Sequence, residues 1–145
     1  METLLRLFPS TLSPDVHVRR ASEQELHQLE SQPGMLAASF QLVASPEVDT
    51  SIRQAAAIYV KNRISRTWDA SLARGFSDAP SAVSDQDKEV VRSGLLPTIA
   101  SLPPTLRVHI ASAMYSIVRC DFPQAWPTLT EEIVKVPVSY THLTL

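Results

Sequence analysis

Chemistry near neutral pH calls first on histidine and cysteine. The chain carries four histidines and one cysteine in 145 residues. His17, His27, His109 and His142 stand at no mutual i, i+4 spacing, and Cys120 has no second cysteine to pair with. Neither a helical metal pair nor a Cys-x-x-Cys motif is formed. His109 and Cys120 lie eleven residues apart. That spacing puts them on one helix face, but about 16 Å apart along the axis, beyond the reach of a nucleophile and its base. Cys120 reads as a small buried hydrophobe. No catalytic, metal or cofactor site is assigned, and the chain is read as a binding protein rather than an enzyme.

Binding chemistry has better candidates. In the run IRQAAAIYVKNRISRTW, residues 52–68, Gln54, Ile58, Lys61 and Ser65 share one helical face, and Lys61 and Asn62 lie off the apolar stripe. A cation and amides there suit an acidic or polar partner surface. The same residues also suit a solvated face, with Lys and Arg placed toward a helix C-terminus. Arg119 and Asp121 end a later helix, as a local cap or ion pair or as partner contacts. Trp68 and Trp126 fit cores between packed helices, or exposed anchors. Arg19, Arg53 and Arg107 each follow an apolar residue at the start of a long helix. That regularity favours a structural role at neighbouring carboxylates or helix ends. Ser13-Pro14 and Ser45-Pro46 suit helix starts, whether or not they are phosphorylated.

These residues need helices to hold them. With 44% hydrophobic and 19% charged residues the chain has enough apolar mass for one globular core. Three glycines against eleven prolines disfavour tight hairpins and glycine-rich phosphate loops. The formal charge of −2 gives no basic balance for nucleic acid or anionic lipid. No apolar run is long enough for membrane insertion. The single cysteine fits a reducing compartment, cytosol or nucleus.

Apolar spacing predicts a short helix over 2–8, ended by Pro9. A second helix follows over 15–30, with Val18, Ala21, Ser22, Leu26 and Leu29 inward. A third runs from Met35 to Val43, and a fourth covers 52–68 with apolar residues on more than one side. Residues 69–85 hold no steady period and read as a long, mobile loop. A fifth helix covers 85–101, kinked at Pro97, and a sixth covers 105–119 after Pro103-Pro104. A seventh begins near Trp126 and fades near Val136. No stretch alternates with period two, so the fold class is all-α.

The pattern repeats. Ser13-Pro14-Asp15-Val16 returns as Ser45-Pro46-Glu47-Val48, and Val18-Arg19, Ile52-Arg53 and Leu106-Arg107 open the even-numbered helices. Recurring helix pairs point to an α-solenoid whose units bury their faces on one another. An ordinary helical bundle shows the same stripes.

VRRASEQEL at 18–26, the run at 52–68 and VRCDFPQAWPTL at 118–129 together resemble the N-terminal domain of the importin-β superfamily, the karyopherins. The resemblance covers roughly residues 4–136. The long loop and the DFPQAW segment are most similar to importins that carry ribosomal proteins and histones. The resemblance implies HEAT repeats: about three helix pairs plus the start of a fourth, with second helices lining the concave face. It further implies binding of the GTPase Ran in its GTP form, which displaces import cargo. Protein cargo and nucleoporins would be partners of the longer protein, in cytoplasm, nucleus and nuclear envelope. Gln54, Lys61, Asn62, Arg119 and Asp121 are the candidate Ran contacts. A nuclear exporter of the same superfamily, or a generic helical-repeat scaffold, also fits.

Residues 1–136 are thus expected to be the beginning of a longer receptor, starting at a true N-terminal methionine. PVSYTHLTL departs from the family pattern: Pro137 interrupts the helix and no inward stripe continues. Residues 137–145 are expected to be a non-native tail.

Overall fold

Short polar side chains set where the helices start. Asp15 accepts the His17 N–H at 2.9 Å, Asp49 accepts the Ser51 N–H at 2.9 Å, and Ser84 accepts the Asp87 N–H at 3.2 Å. In the computed structural model, which describes residues 1–69 and 82–136, these caps open α2 (Val16–Leu29), α4 (Thr50–Thr67) and α5 (Asp85–Ser101). The other helices are α1 (Glu2–Ser10), α3 (Met35–Ala44), α6 (Pro104–Asp121) and α7 (Leu129–Val134). Among the described residues all regular structure is helical. Gly34, at φ 92°, leads into α3, a left-handed conformation that glycine adopts without a Cβ clash. Pro104 occupies the first turn of α6, where its missing N–H is no loss.

Three local expectations are corrected. Pro9 lies inside α1, which runs on to Ser10; in the last turn proline sacrifices only its own bond to Leu5 O. The seventh helix starts at Leu129 rather than Trp126, whose indole is buried in the preceding turn. In α2, Val18 is 43% exposed and Ala21 is also exposed, whereas Ser22, Leu26 and Glu30 are buried. As the terminal helix of its layer, α2 packs extensively only on α1, so a narrower stripe is covered. The expected mobility of 69–85 falls mostly on 70–81, and the tail reading falls on 137–145; both lie outside the described residues. Val83, inside the expected exposed loop, is buried.

Consecutive helices pair: α1 with α2, α3 with α4, α5 with α6. The pairs then stack in two layers, α3 against α5 and α4 against α6. Between these two pairs first helix meets first helix and second meets second, as in a solenoid, whereas the first pair joins the stack through α1 on α4. α4 is the hub, packing on α1, α3 and α6. Its alanines Ala55, Ala56 and Ala57 are buried, and such small side chains let neighbouring helices approach closely.

The recurring arginines act at the turns between paired helices. Arg19 Nη1 donates to Ser13 O at 3.1 Å, Arg53 Nε to Val43 O at 3.0 Å, and Arg107 Nη2 to Leu102 O at 2.8 Å. Each ties the start of a second helix to the chain end of the first. Between repeats, buried Asp87 accepts the Gly34 N–H at 3.1 Å, so α5 supplies a cap for the start of α3. Close by, Gly94 of α5 meets Phe40 of α3: a Cβ on Gly94 would stand 2.9 Å from Phe40 Cε1.

Candidate protein-binding surface

The second-helix layer carries the candidate residues, in three separate places. Gln54 and Lys61 lie on the edge of α4 that faces α6. Gln54 Nε2 is 3.3 Å from His109 Nε2 of α6, a donor–acceptor pair when the imidazole is neutral and protonated on Nδ1. Burial, then the nearby positive charge of Lys61, lowers the His109 pKa below its ordinary value. Lys61 stands beside this imidazole at the half-exposed rim.

Asn62 points the other way, into a groove of about 330 Å³ between α2, α4 and the end of α1. Phe8, Leu12, Leu26 and Ile58 supply apolar walls. At its side the buried Glu30 gathers partners: Tyr59 OH donates to Oε1 at 3.1 Å, and Arg63 Nη1 lies 3.2 Å from Oε2. Arg63 Nη2 also donates to the Glu30 carbonyl at 3.1 Å. Arg66 and His27 approach the same carboxylate from the solvent side at 3.5 and 3.4 Å. Burial, with the Glu30 charge behind it, pushes the Tyr59 phenol far up, so it remains a hydrogen-bond donor. The Tyr59 ring packs on Phe8 with centroids 5.5 Å apart.

Arg119 and Asp121 divide. Arg119 is exposed at the end of α6, its guanidinium carbon 5.6 Å from the Tyr115 ring centroid. Asp121 turns inward and is buried. Its Oδ2 accepts the Arg92 guanidinium at 2.7 Å and the Trp68 indole N–H at 3.0 Å. Lys88 and Arg92 also lie over the Trp68 ring, at 5.3 and 6.0 Å. Trp68 and Trp126 are both buried, as core residues. Cys120 is exposed, correcting its reading as a buried hydrophobe; it sits on α6 between exposed Arg119 and inward Asp121. Burial and then the charges of Asp69 and Asp121 raise its thiol pKa, which disfavours the reactive thiolate.

His109, Glu30, Tyr59 and Arg66 join the surface without having been singled out for it. A signal for His109 was present. Aligning Ile52-Arg53 with Leu106-Arg107 sets α4 and α6 side by side in register, which brings Gln54 next to His109. Glu30 carried no such signal, because its partners sit about 30 residues away on another helix. Among the described residues no group of three or more His, Cys, Asp or Glu is placed to hold a metal, and no helix is long and apolar enough to cross a membrane.

Residues 22–101, more than half of the chain, match the importin-beta N-terminal domain family. The importin beta-like SAD2 homolog of Arabidopsis thaliana is 34% identical over 84% of this chain and 11% of its own length. Exportin-2 of Oreochromis niloticus is 33% identical over 92% of this chain and 13% of its own length. The matches thus include both importin-like and exportin proteins, and the chain spans only about an eighth of their length. The solved structure of the exportin Cse1 in its cargo-free, cytoplasmic state superposes with a TM-score of 0.77 at 30% identity, covering 91% of this chain and 13% of that one. Kap95p, solved with RanGDP, superposes at 0.73 and 24% identity over 97% of this chain and 18% of that one, a likeness of fold. The paired, two-layered helices are accordingly the HEAT-repeat type of solenoid, and with the profile match and the shared order of helices the chain belongs to the importin-β family, as its N-terminal domain.

Proposed function

We propose that this chain is the first part of a nuclear transport receptor that binds Ran-GTP, and that Gln54, Lys61, Asn62 and Arg119 contribute contacts, with Asp121 holding the end of α6 from inside. The observation that carries the reading is the polar rim of Gln54, Lys61 and neutral His109 on the second-helix layer of an importin-β N-terminal domain. A fold shared with Kap95p, whose binding switches the loops of RanGDP to the GTP-bound conformation, supports it. Protein cargo and nucleoporins would engage the longer receptor, which would move between cytoplasm and nucleus and pass the nuclear envelope.

Import is the primary direction. Export is favoured by a different observation, the 33% identity to exportin-2. The two differ in the sign of coupling: an importer binds cargo and Ran-GTP against one another, an exporter binds them together. The direct test is binding of this chain to GTP-loaded and GDP-loaded Ran. Weak but GTP-selective binding, reduced by Lys61→Glu and by added salt, is the expected result. Equal binding to both nucleotide states would leave a generic helical scaffold.

A further inference from the structure

The stack opens at one place in its interior. α4 packs along α6, but α2 makes no comparable contact with α4, and the groove of about 330 Å³ lies between them. It is flanked by helices on both sides, so its opening is set by how the first two pairs meet. Glu23, Leu26 and Glu30 of α2 line one wall, and Ile58, Asn62 and Arg66 of α4 the other. Each set spans about two helical turns, roughly 10–12 Å. Contacts of Glu30 with Arg63 and Arg66 set the ends of α2 and α4 side by side, which leaves Glu23 at the other end of the groove. The floor between is apolar: Phe8 and Leu26 are buried, Ile58 is half-buried, and Leu12 at the rim is 50% exposed. The two ends are opposite in charge. α4 carries four cations and no carboxylate. Arg53 and Arg63 are buried, and Arg63 with the Tyr59 hydroxyl already serves Glu30. Arg66 is a further cation on that carboxylate, at 3.5 Å, with its side chain 48% exposed. Its Nε donates to Asn62 O at 3.2 Å, which orients the guanidinium and leaves its outer nitrogens for a partner. Glu23, at the far end, is exposed.

We infer that this groove docks a short amphipathic helix of a partner protein, running antiparallel to α4. A carboxylate in its first turn meets Arg66, its apolar face covers Leu12, Leu26 and Ile58, and a lysine or arginine two turns later meets Glu23. Charge complementarity selects both the occupant and its direction. A helix is favoured with acid near its N-terminus and base near its C-terminus. Only the antiparallel orientation sets that acid on Arg66 and that base on Glu23. The separation fits as well. Opposite charges seven residues apart on one helix face stand about 10 Å apart, the distance from Glu23 to the end of α2 that holds Glu30. Apolar residues three and four positions after the acid then fall over the apolar floor. The same orientation lays the positive N-terminal end of the occupant beside the negative C-terminal end of α4. A segment of one charge sign throughout would meet like charge at one end. Of the proposed Ran contacts only Asn62 borders the groove, while Gln54 and Lys61 lie on the opposite edge of α4, so the inference stands independently of the Ran reading.

Nuclear magnetic resonance titration of the isotope-labelled chain with a synthetic helical peptide tests it. The probe carries glutamate in its first turn, leucines three and four residues on, and lysine seven residues after the glutamate. Saturable amide shifts are expected on α2 and α4 around the groove. A second peptide with its glutamate and lysine exchanged should bind about tenfold more weakly, because both of its charges then meet like charge. On the protein side Leu12→Asp and Arg66→Glu should each weaken the first probe by about tenfold. Both side chains stand at the rim, and unchanged helical circular dichroism would show that the variants still fold. Arg66→Glu should in turn recover affinity for a probe whose glutamate is replaced by lysine. Lys135→Glu, the same change of charge beyond α7, should leave binding as it was. The inference is overturned by the absence of saturable shifts, by shifts centred on α6, or by equal binding of the two peptides. A loss with Lys135→Glu as large as that with Arg66→Glu would overturn it too.

Discussion

Asp121 stands two residues from Arg119, yet the two side chains serve opposite sides of α6. In the sequence they read as neighbours at a helix end. The folded chain brings Arg92 and Trp68 to the carboxylate from 29 and 53 residues away, and neither separation leaves a local signature. Asp121→Ala removes the acceptor for a guanidinium and an indole N–H that are both largely withdrawn from water. A loss of about 2–4 kcal/mol in urea unfolding is expected, with Asp121→Asn costing less because an amide oxygen still accepts from Trp68. Equal stability of wild type and Asp121→Ala would show that solvent replaces the carboxylate. His109 gives a pH dependence. Its folded pKa lies below the ordinary 6.5, so on acidification the unfolded chain takes up its proton first. Stability is then full above that value and declines as pH falls toward the folded pKa. His109→Gln should flatten the stability profile in this window, read as urea midpoints on either side of it; an unaltered acid slope would contradict the shift. The arginines were more legible than either residue. Arg19, Arg53 and Arg107 recur at one register position, and one register position meets one structural need, the carbonyl at the preceding turn.

At the scale of helices, legibility followed neighbours. α3 to α6, each packed on others, came within about two residues of their expected limits, because a wide buried face imposes a clear period. α7 departed more, beginning three residues later than expected, and α1 ran two residues past its expected end. Pro9 was read as a stop although the last turn tolerates it, and the Trp126 side chain is buried without being helical. In α2 an exposed Val18 imitated an inward position, since a terminal helix has only one extensive contact to satisfy. Gly94 shows what periodicity conceals. It looks like a flaw in α5, and Gly→Ala in an open helix gains about 1 kcal/mol. Here the added Cβ meets the ring of Phe40, itself only 2% exposed and unable to swing away. Overpacking costs about 1–3 kcal/mol, so Gly94→Ala should destabilise on balance, and Phe40→Leu in the same chain should recover part of the loss. A more stable Gly94→Ala variant would mean that the α3–α5 contact gives way at little cost.

For the whole molecule, sequence left bundle and solenoid open, and the resemblance favoured the solenoid. The distinction lies in which helices touch across pairs, and that information is carried by small residues such as Ala55, Ala56, Ala57 and Gly94, whose value depends on what approaches them. The stack is uneven. α4 and α6 make the most extensive helix contact in the molecule, whereas the first pair reaches α4 through α1 and through the Glu30–Arg63 clamp beside an open groove. Native-state hydrogen exchange should therefore show amides of α1 and α2 opening at lower free energy than those of α4 and α6; uniform protection would contradict it. The groove also has an elastic meaning. Springs joined in series share the load but not the extension, and the softest turn lengthens most. Flexing of this solenoid is thus localised at its first step, where a charged clamp holds position over a short range while the adjoining walls remain free to part.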